Sequence, residues 1–126
     1  MKNKFRYLLL VIFYTLLTFK AVHSNEPFVF NVTEIEILEN GDQINGYKGG
    51  TVTSEDGSKI TAENFFYNKL TNILEAIGSV KYVDVLNNII ITSDKAIYFK
   101  NNEKVYTIGN SKAINDNNTI TGSNFE

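Results

Sequence analysis

The stretch "NKLTNILEAIGSV", Asn68 to Val80, decides the fold. Leu70, Ile73, Leu74 and Ile77 fall at i, i+3, i+4 and i+7, the spacing of one apolar helix face. The flanks, "ITAENFFY" and "KYVDV", are rich in β-formers and partly alternate. Local spacing alone therefore supports both a helix and a strand.

A repeat separates the two readings. Residues 60–82, "ITAENFFYNKLTNILEAIGSVKY", align without a gap on residues 91–113, "ITSDKAIYFKNNEKVYTIGNSKA". Ile60/Ile91, Thr61/Thr92, Tyr67/Tyr98, Lys69/Lys100, Ile77/Ile108, Gly78/Gly109 and Lys81/Lys112 are identical. "FNVTEIEI" from Phe30 and "ITGSNF" from Ile120 fill the same slot, so the period is about 30 residues. The slot of "KLTN" holds "ENGD" (Glu39–Asp42) in the first copy and "KNNE" (Lys100–Glu103) in the third. Asn-Gly between two β-rich runs is a hairpin signal, because both central residues tolerate positive φ. "KNNE" is turn chemistry too, and the "KVYTIG" that follows it has strand composition. The sequence thus predicts a turn at Lys69–Asn72, followed by a return strand interrupted at Gly78, as its sister is at Gly109. Second turns are expected at Ser54–Ser58, Leu86–Asn88 and Asn115–Asn118.

Strict alternation fails within "ITAENFFY". A one-residue bulge near Glu63–Asn64 places Ile60, Ala62, Phe65 and Tyr67 on one face. The same rule puts Ile91, Ser93, Ala96 and Tyr98 inward in the third copy. In the first copy it selects Phe30, Val32, Ile35 and Ile37, with Glu34 and Glu36 outward. On the return strands Leu74, Ala76, Val80 and Tyr82 are expected inward, with Val105 and Thr107. Phe66, Ile97, Ile73 and Ile77 then point outward, where apolar side chains suggest a covering partner or a second sheet. The expected class is all-β.

The first residues have a different character. Lys2, Lys4 and Arg6 precede the apolar run Leu8–Phe19, and "AVHS" supplies small residues for cleavage between Ser24 and Asn25. Residues 1–24 read as a signal peptide and 25–126 as the exported domain. An uncleaved anchor is the competing reading, although twelve apolar residues fall short of the roughly 20 that span a bilayer. From Asn25 onward eight basic residues face fourteen acidic ones, a net charge of −6. The remaining chain has no Arg, His or Cys. It lacks the basic stripe of a nucleic-acid binder and the groups for Ser–His or Cys–His catalysis or soft metal ligation. "SEDGS" and "NDNN" offer oxygen atoms without the spacing of a calcium loop. No paired carboxylates converge in the expected layout. The expectation is a non-enzyme without cofactor or metal.

The signal peptide, "FNVTEIEILENG", "GSKITAENFFYNKLTNILEAIGSVKYVD" and "ITSDKAIYFKNNEKVYTIGNSKA" together resemble the OstA-like domain of lipopolysaccharide transport. The shared pattern is a small-acidic-x-apolar-x-Tyr strand, a turn, and a strand ending in Gly. Here it reads Ala62-Glu63-Asn64-Phe65-Phe66-Tyr67 with Gly78, and Ser93-Asp94-Lys95-Ala96-Ile97-Tyr98 with Gly109. The resemblance spans nearly all of residues 28–126. It implies an open β-jellyroll in the periplasm, whose inward residues named above form a trough for the acyl chains of lipopolysaccharide. It also implies docking to other transport proteins by strand addition. Within the family, "TEIEILENG" is most similar to the N-terminal periplasmic region of the outer-membrane assembly protein. The fourth copy breaks off at Glu126, so the domain is expected to be incomplete there. The chain is expected to be either a truncated piece of that protein or a short relative like the soluble periplasmic bridge protein of the same system. A secreted β-repeat module with a plain closed core is the alternative.

Overall fold

The computed structural model describes residues 26–126; the expected cleavage site, Ser24–Asn25, lies outside them. Eight strands follow one another: β1 (Phe28–Leu38), β2 (Gln43–Ser54), β3 (Lys59–Ala62), β4 (Asn64–Asn68), β5 (Ile73–Asp84), β6 (Ile89–Phe99), β7 (Lys104–Asn115) and β8 (Asn118–Phe125). All pair antiparallel in one sheet, in the order β1-β2-β3-β5-β6-β7-β8, and β4 also bridges β2 and β5. Residues 69–72 form a turn and Ile73 opens β5, so the helical spacing of Leu70 to Ile77 is coincidental. The other five expected turns are also in place.

Every long strand is broken near its middle. The register shifts between Val32 and Glu34, Ile77 and Val80, Thr92 and Lys95, and Ile108 and Ser111. β3 and β4 are one strand divided at Glu63, as the expected bulge requires. Bulges add twist and bend a strand. In register across a sheet, they fold it along a line. The first layer holds Phe28–Val32, Gly50–Ser54, β3, Val80–Asp84, Ile89–Ser93, Ser111–Asn115 and Asn118–Gly122. The second layer holds Glu34–Leu38, Gln43–Tyr47, β4, Ile73–Ile77, Lys95–Phe99, Lys104–Ile108 and Asn124–Phe125.

The repeated acidic residue and glycine build this crease. Gly78 and Ser79 both have positive φ (88° and 48°), as do Gly109 and Asn110 (79° and 47°). Glycine adopts that region without strain. Ser79 donates its hydroxyl to Glu63 Oε1 at 3.2 Å, and the Asn110 amide donates to Asp94 Oδ2 at 2.7 Å. Gly49 N donates to Glu63 O at 2.8 Å, and Glu63 N to Gly78 O at 3.1 Å. The sequence pattern of an acid followed by glycine is therefore a corner motif. In the first copy the Lys48–Glu34 ion pair, 2.5 Å, takes its place.

Candidate functional site

Pairing partners share a face, so the register identifies what points between the layers. In the second layer one inward row runs Ile35, Gly46, Phe65, Ala76, Ala96, Thr107 and Phe125. The next runs Ile37, Ile44, Tyr67, Leu74, Tyr98 and Val105. In the first layer Phe30, Val52, Ile60, Tyr82, Ile91, Ala113 and Ile120 form one row. Val32, Gly50 and Ala62 begin another, which Val80 and Ser93 carry on beyond β3.

Most expected inward residues are packed there. Ile60, Ala62, Phe65, Tyr67, Leu74, Ala76, Val80, Tyr82, Ser93, Ala96 and Tyr98 are buried. Phe30, Val32, Ile91 and Val105 pack against them half-buried. Thr107 is also buried and shares its hydroxyl with Ser111 at 2.8 Å. Phe66, Ile73, Ile77 and Ile97 lie on the outer face, as expected, around a Lys95–Glu75 ion pair of 2.6 Å.

Ile35 and Ile37 depart from the expectation of burial. Both sit on the inward face, yet they are 52% and 62% exposed. β1 is an edge strand, and among the described residues no strand pairs with its outer side. At the opposite edge, Ile120 of β8 also faces inward and is 63% exposed. Among the described residues the apolar interior thus emerges exposed at both ends of the sheet. Beside β8, mainly on the outer face, lies a hollow of about 440 Å³, lined by Ile97, Phe99, Tyr106, Ile108 and Phe125 among others.

Between the ends, the layers meet. Val52, Phe65 and Leu74 have no exposed surface. Away from the crease an aromatic cluster joins the layer tips. Phe28 stands edge-on to Tyr67 at 4.8 Å and to Tyr98 at 5.7 Å, and Tyr82 lies 6.4 Å from Tyr98. Burial pushes the Tyr98 hydroxyl up to about 12, helped by the charges of Asp56, Glu103 and Asp84. Asp56, in the β2–β3 turn, behaves oppositely. Burial opposes its charge, but hydrogen bonds from Ser54 and Ser58 outweigh burial and hold its carboxyl below the ordinary range.

Several inward residues were not legible in the sequence. Phe28 lies before the first repeat unit, and Val52 and Ile44 sit in a return strand whose register only the crease defines. Ser54, Ser58 and Ser111 are buried although their surroundings have turn composition. Alternation in "GTVTS" was the available signal for Val52. Among the described residues no group of three or more His, Cys, Asp or Glu could hold a metal ion.

No protein-family model matches the chain, and no curated protein matches it. Among solved structures it is similar to LptH, described as the LptA-homologous periplasmic component of the conserved lipopolysaccharide transport device from Pseudomonas aeruginosa. The TM-score is 0.66 at 17% identity, over 79% of this chain and 73% of that one. Identity at that level speaks to architecture. The chain has the β-jellyroll fold of that periplasmic component.

Proposed function

We propose that this protein carries lipopolysaccharide across the periplasm, holding its acyl chains between the two layers. The observation that carries this reading is the exposed apolar interior at both edge strands of the described sheet, with Ile35 and Ile37 at one end and Ile120 at the other. A closed core buries its end residues. A conduit leaves them for the next unit to cover. The fold shared with LptH and the signal-peptide-like pattern of the first 24 residues support the same reading.

The energetics require such a shield. Each methylene in water costs about 0.8 kcal/mol, so a twelve-carbon chain costs roughly 9 kcal/mol. A lipid with several chains does not cross an aqueous compartment bare. β1 and β8 are the edges of the described sheet, and edge strands suit strand addition by neighbouring transport proteins. No cofactor is needed, because moving a lipid along a groove breaks no bond. The finer assignment, to the periplasmic part of the outer-membrane assembly protein, predicts that the coding sequence continues into alternating strands of about ten residues.

The fully buried Val52, Phe65 and Leu74 favour a second reading, a structural β-repeat module with a plain core. Photo-crosslinkers separate the two. Placed at Ile37 or Tyr98 in cells, they should capture lipopolysaccharide under the first reading. Capture confined to outer-face positions such as Glu75 would favour the second.

A further inference from the structure

The interior is closed along the side opposite the crease, and the segment Glu26-Pro27-Phe28 crosses that side. It touches both layers. Pro27 O accepts a hydrogen bond from Glu55 N, in the β2–β3 turn of the first layer, at 3.2 Å. The Glu26 carboxylate pairs with Lys69 Nζ, in the β4–β5 turn of the second layer, at 3.1 Å. Phe28 is hydrogen-bonded into the first layer opposite Ser54, and its ring wedges against Tyr67 and Tyr98 of the second. Pro27 is the only proline of the chain, and its fixed φ stiffens the crossing.

We propose that Glu26–Phe28 is a strap that holds the layer tips together, and that its release opens the long side of the interior to a lipid chain. The proposal rests on the lipid-carrying reading above. It follows from how the contacts are divided. The crease is fixed by backbone hydrogen bonds and paired corner residues, so it acts as a hinge. Between the tips the segment contributes ring contacts and the exposed Glu26–Lys69 ion pair, while the Pro27–Glu55 hydrogen bond seats it on the first layer. Exposed ion pairs are weak and ring contacts reversible. A filled core with Val52, Phe65 and Leu74 fully buried has no room for an acyl chain until the layers part. The strap lies where they would part most widely.

The chain from residue 25 onward contains no cysteine, so a clean lock can be built. In the exported protein, Glu26→Cys and Lys69→Cys are joined by a short bis-thiosulfonate linker that reductant cleaves. A second variant, Glu26→Ala with Pro27→Gly, loosens the strap without touching the buried ring. Two quantities are read: amide hydrogen exchange in β3, β6 and the β2–β3 turn without ligand, and uptake of a fluorescent C12 fatty acid and of lipopolysaccharide.

The linked protein should exchange more slowly at the tips and take up lipid at least tenfold more slowly, with recovery after reduction. The loosened variant should take up lipid several-fold faster than the unmodified chain. Equal uptake by linked and reduced protein would overturn the strap and leave the lipid reading standing. Absence of uptake in every form, with exchange that still responds to the linker, would support the strap as a closure and overturn the lipid reading. Exchange that ignores both linker and loosening would overturn the strap whatever the uptake.

Discussion

The Glu63 side chain lies over Gly78. A methyl group added at Gly78 would stand 2.6 Å from Glu63 Oε2 and 2.9 Å from its Cβ. The same pairing recurs one repeat later between Asp94 and Gly109. Two residues fifteen apart in sequence thus define the crease on which the interior depends.

Gly78→Ala should therefore cost more than its backbone strain alone, which is about 1–3 kcal/mol for a side chain at positive φ. Gly57 provides the control. Its φ is 87°, but nothing lies within 4 Å of an added methyl. Urea denaturation should show Gly78→Ala more destabilising than Gly57→Ala. Adding Glu63→Ala to the Gly78 variant should recover part of the difference. Equal losses at the two glycines would mean that the corner contact contributes nothing.

Core and rim residues should separate stability from function. Leu74 is fully buried between the layers, and Leu74→Ala should cost about 2–5 kcal/mol. Ile37 shares its row but is 62% exposed, so Ile37→Ser should change stability by no more than about 0.5 kcal/mol. The same Ile37 substitution should weaken lipopolysaccharide capture. A large stability loss at Ile37 would place it in a closed core.

Acid should weaken the tip through Asp56. Its folded pKa is depressed, so the stability it provides is present above the unfolded value near 3.8 and is lost as pH falls through the folded value. Asp56→Asn should be less stable than the native chain at pH 7 and show a flatter loss below pH 4. Parallel acid limbs in thermal melts would contradict this.

Alkali should act through Tyr98. Its folded pKa, about 12, lies above the ordinary 10, so its contribution is complete below pH 10 and fades as pH rises towards 12. Tyr98→Phe should remove part of that alkaline loss. Unfolding midpoints at pH 9 and pH 11 measure it, and an unchanged slope would count against a buried neutral hydroxyl.

The strands, turns and most of the interior were legible because the repeat overrules local pattern. "KLTN" and its sister turns fixed the hairpins, and the bulge at Glu63 corrected the broken alternation. Burial at the ends was not legible. Ile35 and Ile37 have the same local pattern as Ile60 and Ala62, and their place on the edge strand of the described sheet exposes them. Whether a strand has a neighbour is a property of the whole sheet. Phe28 was missed because its role comes from contacts with Tyr67 and Tyr98, 39 and 70 residues away. The corner role of Glu63 and Asp94 was only half visible. The recurring acid and glycine showed in the sequence, but their contact across strands did not.

The most direct test of the account is site-specific photo-crosslinking in living cells at four positions: inward Ile37 and Tyr98, and outward Glu75 and Lys81. The account predicts adducts with lipopolysaccharide at Ile37 and Tyr98 and none at Glu75 or Lys81. Adducts confined to Glu75 or Lys81, or none at Ile37 and Tyr98 while outward positions crosslink other proteins, would contradict a lipid-carrying interior.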